Sequence, residues 1–291
     1  MSPRTVLITG ASSGIGRDAA MHLNAEGYVV IGTVRRPADG DALISDAVHP
    51  DRMHAVQCDV TSHADVAALA QRVQTLVGEE GLHAMFSNAG VANMSGPVSA
   101  EDCPVETLER LVSINYLGSV RVIQAHLPLL RASHGTLVIN SALMARTVLP
   151  YNGGYAPSKA ALEAWADQLR REIRPYGVRV VCIRAAAIAT PLEAKQDAST
   201  VPDAGAYPEQ RAFIEGGLTL MRRESAKAHV QPRRFSELVQ KVIERRRPPL
   251  KPIVGGMARP IWLVGGMPER MQDAVIARLV RRMIRAGTAS N

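Results

Sequence analysis

The sequence has few aromatic residues, few cysteines and no long apolar run, and each shortage excludes a class of protein. Aromatic side chains make up 4% of the chain, and its three cysteines lie far apart without a CxxC pair. A disulfide framework and a zinc site are therefore not expected, and the cytoplasm is the predicted location. No apolar run approaches the roughly 18 residues that would span a bilayer. We therefore expect neither a membrane-spanning helix nor a signal peptide.

Positive charge is concentrated at the C-terminal end of the chain. The net charge is +7, and the stretch from Arg222 to the end holds 16 basic residues against 5 acidic ones. A solvated basic face and peripheral contact with an acidic membrane surface both explain this excess. Nucleic acid is not an expected partner, because no nucleic-acid motif or interleaved aromatic set accompanies the charge.

Extended apolar segments alternate with helical patterns along the first two thirds of the chain. Predicted strands lie at 5–9, 28–34, 53–60, 82–87, 136–140 and 178–183, and predicted helices at 15–26, 65–77, 108–130 and 158–174. Strands separated by helices of this length are typical of a parallel sheet with helices on both faces. The sequence thus predicts a single α/β domain, a Rossmann-type doubly wound sheet with a C-terminal helical extension.

Three segments are expected within this domain. Residues 1–191 form the predicted cofactor-binding and catalytic core, residues 192–256 a substrate loop with helices, and residues 257–291 a basic amphipathic extension. The last helix, predicted at 268–285, carries apolar residues on one side: Met271, Val275, Leu279 and Ile284. This side suits packing on the core, contact with a membrane surface, or contact within a homodimer or homotetramer.

A glycine-rich turn joins the first predicted strand to the first predicted helix. Residues 9–16 read TGASSGIG, which places Gly10, Ser12, Ser13, Gly14, Ile15 and Gly16 at the helix start. Glycine permits a tight turn and close approach of the backbone to phosphate, and the free N–H groups of a helix start attract an anion. The strand-turn-helix context predicts that this turn binds the phosphates of a dinucleotide.

The end of the second predicted strand indicates which dinucleotide is bound. An acid here suits the ribose of NAD, whereas this chain has Arg35 and Arg36, which suit the extra phosphate of NADP. NADP(H) is therefore the preferred cofactor and NAD(H) the second choice, unless both arginines are merely exposed turn residues. Asp59 and Val60 follow the third strand and could contact the adenine, although a helix-capping acid would look the same.

Tyr155 and Lys159 are four residues apart at the start of a predicted helix. This spacing places both side chains on one helical face, one turn apart. A cation beside a phenol favours the phenolate, so we expect Lys159 to lower the pKa of Tyr155. A tyrosine tuned in this way can donate or accept a proton near neutral pH.

The motifs TGASSGIG at 9–16, Asn88-Ala89-Gly90, Asn115, Ser141 and Tyr155-x-x-x-Lys159 occur in this order. Through them the chain resembles the short-chain dehydrogenase/reductase family from residue 5 to about residue 191. The resemblance implies that Tyr155 is the acid/base, that Lys159 holds the nicotinamide ribose, that Asn115 holds a water on the proton path, and that Asn88-Ala89-Gly90 lies beside the cofactor. It further implies an NAD(P)-dependent oxidoreductase that interconverts a secondary alcohol and a ketone.

The chain departs from the family pattern at two positions. The family's catalytic serine lies thirteen residues before the tyrosine, where this chain has Ala142, so Ser141 is the predicted substrate-binding hydroxyl and a site without a serine is the alternative. After the sixth strand, alanines replace the frequent Pro-Gly pair, and Ile188 and Thr190 are expected to contact the cofactor.

These departures leave a second function open, a nucleotide-binding regulator of the same fold with reduced catalysis. The C-terminal part resembles relatives that act on steroid, retinoid or other lipophilic alcohols, which implies a small lipophilic alcohol or ketone as the substrate. The eight histidines show no metal-ligand spacing, so no metal is expected.

Overall fold

The computed structural model describes residues 4–92, 98–188, 207, 209–225 and 231–288. Seven parallel strands form one sheet in the order β3-β2-β1-β4-β5-β6-β7. The strands are β1 (Thr5–Ile8), β2 (Val29–Val34), β3 (Met53–Gln57), β4 (Ala84–Ser87), β5 (Thr136–Ala142), β6 (Arg179–Ala185) and β7 (Ile253–Val254). The order of the first six strands is that of the doubly wound dinucleotide-binding fold, so the predicted fold class is confirmed.

Helices connect the strands and cover both faces of the sheet. They are α1 (Gly14–Ala25), α2 (Pro37–Ser45), α3 (His63–Val77), α4 (Val105–Leu111), α5 (Ser119–Ala132), α6 (Tyr155–Ile173), α7 (Gln210–Ser225), α8 (Pro232–Glu244), α9 (Ala258–Val264) and α10 (Glu269–Thr288). A π-helical segment, Val112–Gly118, joins α4 to α5. The single helix predicted at 108–130 is therefore three consecutive segments, because the wider π turn interrupts the α-helical hydrogen bonding.

Alternate residues of the central strands pack on opposite sides of the sheet. In β5, Leu137 and Ile139 join the apolar cluster formed by α3, α5 and α6. Val138 faces the other way, into the cluster formed by α1 and α8. Both clusters are buried, which explains why the central strands read as continuous apolar runs rather than alternating ones.

The predicted boundary of the core at residue 191 is too early. Phe235 and Val239 of α8 are fully buried against the sheet, and β7 extends the sheet beside β6. The chain before β7 also pairs with β6, since Cys182 N donates to Leu250 O at 3.0 Å. Segment 192–256 therefore contributes to the core as well as to the predicted substrate region, of which residues 192–206 lie outside the described part of the chain.

The C-terminal helix α10 packs along α7 at close range. A Cβ atom added at Gly216 would lie 1.8 Å from the carbonyl oxygen of Met283, and one at Gly287 would lie 2.0 Å from that of Ala212. The side predicted to be apolar is only partly the packed side, since Ile284 contacts α7 residues whereas Met271 and Val275 are 54% and 40% exposed. Among the described residues, none of the helices is both long and apolar enough to cross a membrane.

Candidate active site

The glycine-rich turn has a backbone shape that only glycine adopts without strain. Gly10 and Gly14 have φ angles of +70° and +56°, and Gly10 N donates to Thr33 Oγ1 at 3.0 Å. A Cβ atom at Gly16 would lie 2.2 Å from the carbonyl oxygen of Gly10. The turn therefore depends on glycine at these positions and keeps its backbone open to a ligand.

The start of α1 has the features of a phosphate site. The helix begins at Gly14, its N-cap residue Ser13 makes no side-chain capping bond, and no acidic residue lies in its first turn. Ser13 is exposed and Ser12 partly exposed, so both hydroxyls lie beside N–H groups that have no helical partner. These groups, together with Ile15 at the helix start, fit the pyrophosphate of a dinucleotide.

Asn88 ties three strands together at the edge where the glycine-rich turn lies. Its Nδ2 donates to Thr9 O at 3.0 Å, and its Oδ1 accepts from Asn140 Nδ2 at 2.9 Å. Thr9 Oγ1 accepts in turn from the backbone N–H groups of Asn88 and Ala89, both at 2.9 Å. These hydrogen bonds make Asn88 a link between the ends of β1, β4 and β5, and its place beside a cofactor stays a prediction.

The two arginines after β2 have different surroundings. Arg36 donates to the carboxylate of Asp39 through Nη2 at 2.8 Å and Nε at 3.1 Å, and this bond lowers the pKa of Asp39. The exposed Arg35 guanidinium forms no hydrogen bond or ion pair with the residues that the structure describes. Arg35 is therefore the arginine available to a ligand. The sequence argument missed Asp39, although its spacing from Arg36 is that of a helical ion pair.

Asp59 and Val60 follow β3 at the same edge of the sheet. Asp59 Oδ1 accepts from the backbone N and the Oγ1 of Thr61, at 2.8 and 2.7 Å, which holds the turn before α3. Val60 is buried, and its carbonyl oxygen accepts from Arg121 Nη1 at 2.8 Å. The local role of Asp59 is therefore the turn, and its contact with an adenine stays a prediction.

Asn115 lies in the π-helical segment and is fully buried. Its Oδ1 accepts from Val91 N at 2.8 Å, and its Nδ2 donates to Val91 O at 3.0 Å and to Ser158 Oγ at 3.1 Å. A Cβ atom at Gly90 would come within 3.0 Å of Asn115 Oδ1. Asn115 thus joins the loop after β4 to α6, and its predicted hold on a water stays a prediction.

Tyr155 and Lys159 lie on one face of α6, as predicted, but their electrostatics differ from the prediction. Lys159 Nζ lies 5.9 Å from the centroid of the Tyr155 ring and donates to Asn140 O at 2.9 Å. Burial raises the pKa of Tyr155 to about 12 and lowers the pKa of Lys159 to about 8, while the charge of Glu163 raises the latter. The expected lowering of the tyrosine pKa is absent here, because desolvation of the phenolate outweighs the lysine.

Ser141 does not occupy the position predicted for it. Its side chain is 1% exposed, and its hydroxyl donates to Glu163 Oε1 at 2.7 Å. Successive residues of a strand face opposite sides, so Ala142 shares the face of Asn140, whose side chain binds Asn88. The prediction that Ser141 presents its hydroxyl to a substrate is therefore contradicted, and the residue on the side of the glycine-rich turn is an alanine.

Strand β6 ends at Ala185, and Ala186 begins the segment that follows. Ile188 is 4% exposed and its side chain packs in the cluster of α1 and α8. A backbone contact between Ile188 and the cofactor stays a prediction, and Thr190 lies outside the described residues.

An aromatic and apolar cluster includes Tyr151, four residues before Tyr155 in the sequence. Tyr151 packs against Phe213 of α7 with ring centroids 4.9 Å apart, and against Tyr207 at 6.0 Å. Apolar side chains of α7 and α10 extend this cluster: Ile214, Val280, Met283 and Ile284. Residues distant in sequence thus meet in an apolar cluster around Tyr151, which no local sequence pattern predicts.

Comparison with known proteins gives consistent matches. The model of the family described as short chain dehydrogenase matches residues 4–200. Retinol dehydrogenase 5 of Mus musculus is 31% identical over 287 residues, which cover 95% of this chain and 89% of that protein. The NADPH-dependent 3-dehydrocapnine reductase of Ornithobacterium rhinotracheale is 34% identical over 197 residues, or 66% of this chain and 68% of that protein.

A solved structure gives the same fold. A short-chain dehydrogenase from Streptomyces avermitilis superposes with a TM-score of 0.77 at 24% sequence identity. The match covers 97% of this chain and 98% of that chain. The likeness therefore extends over the C-terminal helices as well as the sheet.

Substitutions at Ser141 and Ala142 test which of these two positions faces the substrate. Because Ser141 binds the buried carboxylate of Glu163, Ser141→Ala should lower the free energy of unfolding by about 1.5 to 3 kcal/mol and leave the turnover number within a few-fold. Ala142→Ser, on the other face of β5, should increase turnover. Single-turnover rates and chemical denaturation measure both effects. A loss of turnover of roughly 100-fold in Ser141→Ala, as expected for a missing oxyanion donor, would show that the Ser141 hydroxyl binds the substrate.

Proposed function

The chain belongs to the short-chain dehydrogenase family of NAD(P)-dependent oxidoreductases that act on CH–OH groups, and we propose that it interconverts a secondary alcohol and a ketone on a lipophilic substrate, with NADP(H) preferred. The observation that carries the proposal is the pair formed by the partly buried Tyr155 and the buried Lys159 at the start of α6. This pair adjoins the carboxyl end of β5, at the same edge of the sheet as the glycine-rich turn. Ligands of open α/β sheets bind at this edge.

Tyr155 and Lys159 contribute to this reaction in different ways. A bound nicotinamide supplies the hydride. Tyr155 gives its proton to the substrate oxygen when a ketone is reduced and takes it back when an alcohol is oxidised. A pKa of about 12 keeps the phenol protonated at neutral pH, which suits the reduction direction. Lys159 places a positive charge beside the phenol and stabilises the phenolate that proton transfer leaves behind.

Preference for NADP rests on Arg35. Its guanidinium is exposed and unpaired among the described residues, whereas Arg36 is held by Asp39. The same bond neutralises the Asp39 carboxylate, which would otherwise repel a phosphate. The name of the NADPH-dependent relative supports this choice.

A lipophilic substrate is supported by the apolar cluster around Tyr151, four residues before Tyr155 in the sequence. The partly exposed Tyr151 packs on the buried Phe213 and Ile214, and this apolar packing suits a hydrophobic ring or chain rather than a charged metabolite. The match to a retinol dehydrogenase over most of both chains agrees with a substrate of this class.

A nucleotide-binding regulator with reduced catalysis is the second candidate. It is favoured by one observation, the Ser141 hydroxyl bound to Glu163 in place of a donor beside Tyr155. Both candidates bind the cofactor, so turnover of a carbonyl and alcohol panel distinguishes them.

The cytoplasm and a homodimer or homotetramer are our proposals for location and assembly. Free, buried cysteines suit a reducing compartment. We further propose peripheral contact between α10 and an acidic membrane surface. Met271 and Val275 are exposed on the first half of this helix. Four exposed arginines lie on its following turns: Arg278, Arg281, Arg282 and Arg285.

Replacing Tyr155 by Phe tests the proposed reaction. The change removes the proton donor and little contact area, so turnover of ketones should fall at least 100-fold while the cofactor dissociation constant stays within about two-fold. Nicotinamide absorbance on a panel of lipophilic ketones and alcohols measures turnover, and fluorescence titration measures binding. Turnover near the wild-type rate would remove Tyr155 from the mechanism.

Arg35→Ala and Arg36→Ala form a matched pair for cofactor choice. One charge-assisted contact contributes about 1.5 to 3 kcal/mol, so Arg35→Ala should weaken NADPH binding roughly 10- to 100-fold and leave NADH unchanged. Arg36→Ala should affect NADPH less, because Asp39 already binds this guanidinium. Isothermal titration with both dinucleotides measures the effects. An equal loss for NADPH and NADH in Arg35→Ala would show that Arg35 does not discriminate.

Co-sedimentation with vesicles tests the membrane contact. The protein should sediment with vesicles rich in phosphatidylserine, should not sediment with phosphatidylcholine vesicles, and should be released by high salt. Replacing Arg278, Arg281, Arg282 and Arg285 together by Gln should abolish sedimentation, whereas the same change at the exposed Arg171 and Arg174, at the C-terminal end of α6, should not. Equal sedimentation with both vesicle types would contradict the proposal.

A further inference from the structure

A buried carboxylate lies one helical turn beyond Lys159. Glu163 of α6 is 5% exposed and accepts hydrogen bonds from three different elements. The donors are Ser141 Oγ at 2.7 Å, Arg184 Nε at 2.9 Å and Nη2 at 2.7 Å, and Lys251 Nζ at 3.0 Å. Both carboxylate oxygens are therefore fully used inside the protein, and none of these contacts belongs to the reaction described above.

Lys251 links this cluster to the C-terminal part of the chain. It lies just before β7 and donates to Asp167 Oδ2 at 2.7 Å as well as to Glu163. Arg184 belongs to β6 and Ser141 to β5, so Glu163 joins two central strands, the catalytic helix and the segment before the last strand. A carboxylate that only stabilised α6 would not need partners from so many elements.

The cluster contains more positive than negative charge. Lys159, Arg184 and Lys251 face the carboxylates of Glu163 and Asp167. The Lys159 ammonium itself is 5% exposed and donates to a neutral carbonyl, that of Asn140. A buried ammonium without a compensating anion gives up its proton. The charge of Lys159 therefore depends on a carboxylate nearby, and Glu163 is on the same face of the same helix, four residues on.

We propose that Glu163 is a positioning residue whose buried carboxylate keeps Lys159 charged beside Tyr155 and holds the Ser141 hydroxyl away from the substrate side of β5. The consequence for Tyr155 rests on the proposed function, whereas the effect on Lys159 does not. Because Lys159 stabilises the tyrosine phenolate, Glu163 sets the pH range of the enzyme without touching cofactor or substrate.

The groups around Glu163 determine whether its carboxylate is charged at neutral pH. Burial alone would raise the pKa of Glu163, but hydrogen bonds from Arg184 and Ser141 and the charges of Arg184 and Lys251 hold it below its usual range. Glu163 is thus ionised at neutral pH. The other titratable groups that face the cluster are Tyr155 and Asp167 on α6, and Cys182 on β6, whose pKa burial raises to about 12. Tyr155 and Cys182 are therefore neutral there, and Glu163 is the inner anion.

The experiment observes Lys159 directly. A protein labelled with [ε-13C]lysine gives few signals to assign. The chain has only five lysines: Lys159, Lys195, Lys227, Lys241 and Lys251. In the full-length protein without substrate, the Lys159 signal should titrate at about pH 8. Glu163→Gln keeps the shape of the side chain and removes its charge. It should move this titration to lower pH by roughly one unit.

One further variant should move the Lys159 titration in the opposite direction, and another serves as the control. Lys251→Met leaves the charge of Glu163 less neutralised, so the Lys159 titration should move to higher pH. Lys241→Met on the exposed side of α8 should leave it unchanged, and the two variants also assign two signals. An unchanged or rising Lys159 titration in Glu163→Gln overturns the proposal. If Glu163→Gln does not fold, an unchanged Lys159 titration in Lys251→Met overturns it instead.

The activity readout keeps this inference separate from the proposed function. The upper limb of the pH dependence of kcat, where Lys159 loses its proton, should move in Glu163→Gln in the same direction and by the same amount as the Lys159 titration, with KM within a few-fold. A Lys159 titration that moves in a protein with no turnover on any substrate supports the effect on Lys159 and contradicts the proposed function. If the pH dependence of kcat stays unchanged while the Lys159 titration moves, the link from Glu163 to Tyr155 is contradicted.

Discussion

The burial of the Lys159 ammonium is the constraint on which the rest of the site depends. A charge taken out of water is stable only where dipoles and opposite charges replace its hydration. The carbonyl of Asn140 at the end of β5 supplies the dipole, at 2.9 Å, and Glu163 supplies the opposite charge. The position of β5 relative to α6 therefore decides whether a charged lysine is available beside Tyr155.

Polar residues at the carboxyl edge of the sheet keep this arrangement rigid. Asn88 joins β1 and β5 through its two side-chain atoms, and the hydroxyl of Thr9 accepts two backbone N–H groups from the end of β4. Asn115, fully buried, connects the next loop to α6 through Ser158. Buried polar groups that are fully bonded in this way specify one arrangement of strands and helix, because any other leaves donors unpaired.

The C-terminal third of the chain is part of the site as well as a cover for it. Lys251 reaches the catalytic helix through Glu163 and Asp167, and α8 buries Phe235 against the sheet. Helix α10 packs on α7 through glycine backbones, and α7 in turn brings Phe213 to Tyr151. The environment of Tyr155 thus depends on residues that follow it by up to 130 positions in the sequence.

Local patterns in the sequence determined the doubly wound sheet, the glycine-rich turn and the pairing of Tyr155 with Lys159 on one helical face. Each rests on periodicity, backbone geometry or spacing, which short segments carry by themselves. Only the tertiary structure decided that the Ser141 hydroxyl binds Glu163, that Asp39 forms its hydrogen bonds with Arg36 rather than Arg35, and that burial raises the pKa of Tyr155. Desolvation and partner choice depend on which distant segments meet, and no pattern along the chain contains that information.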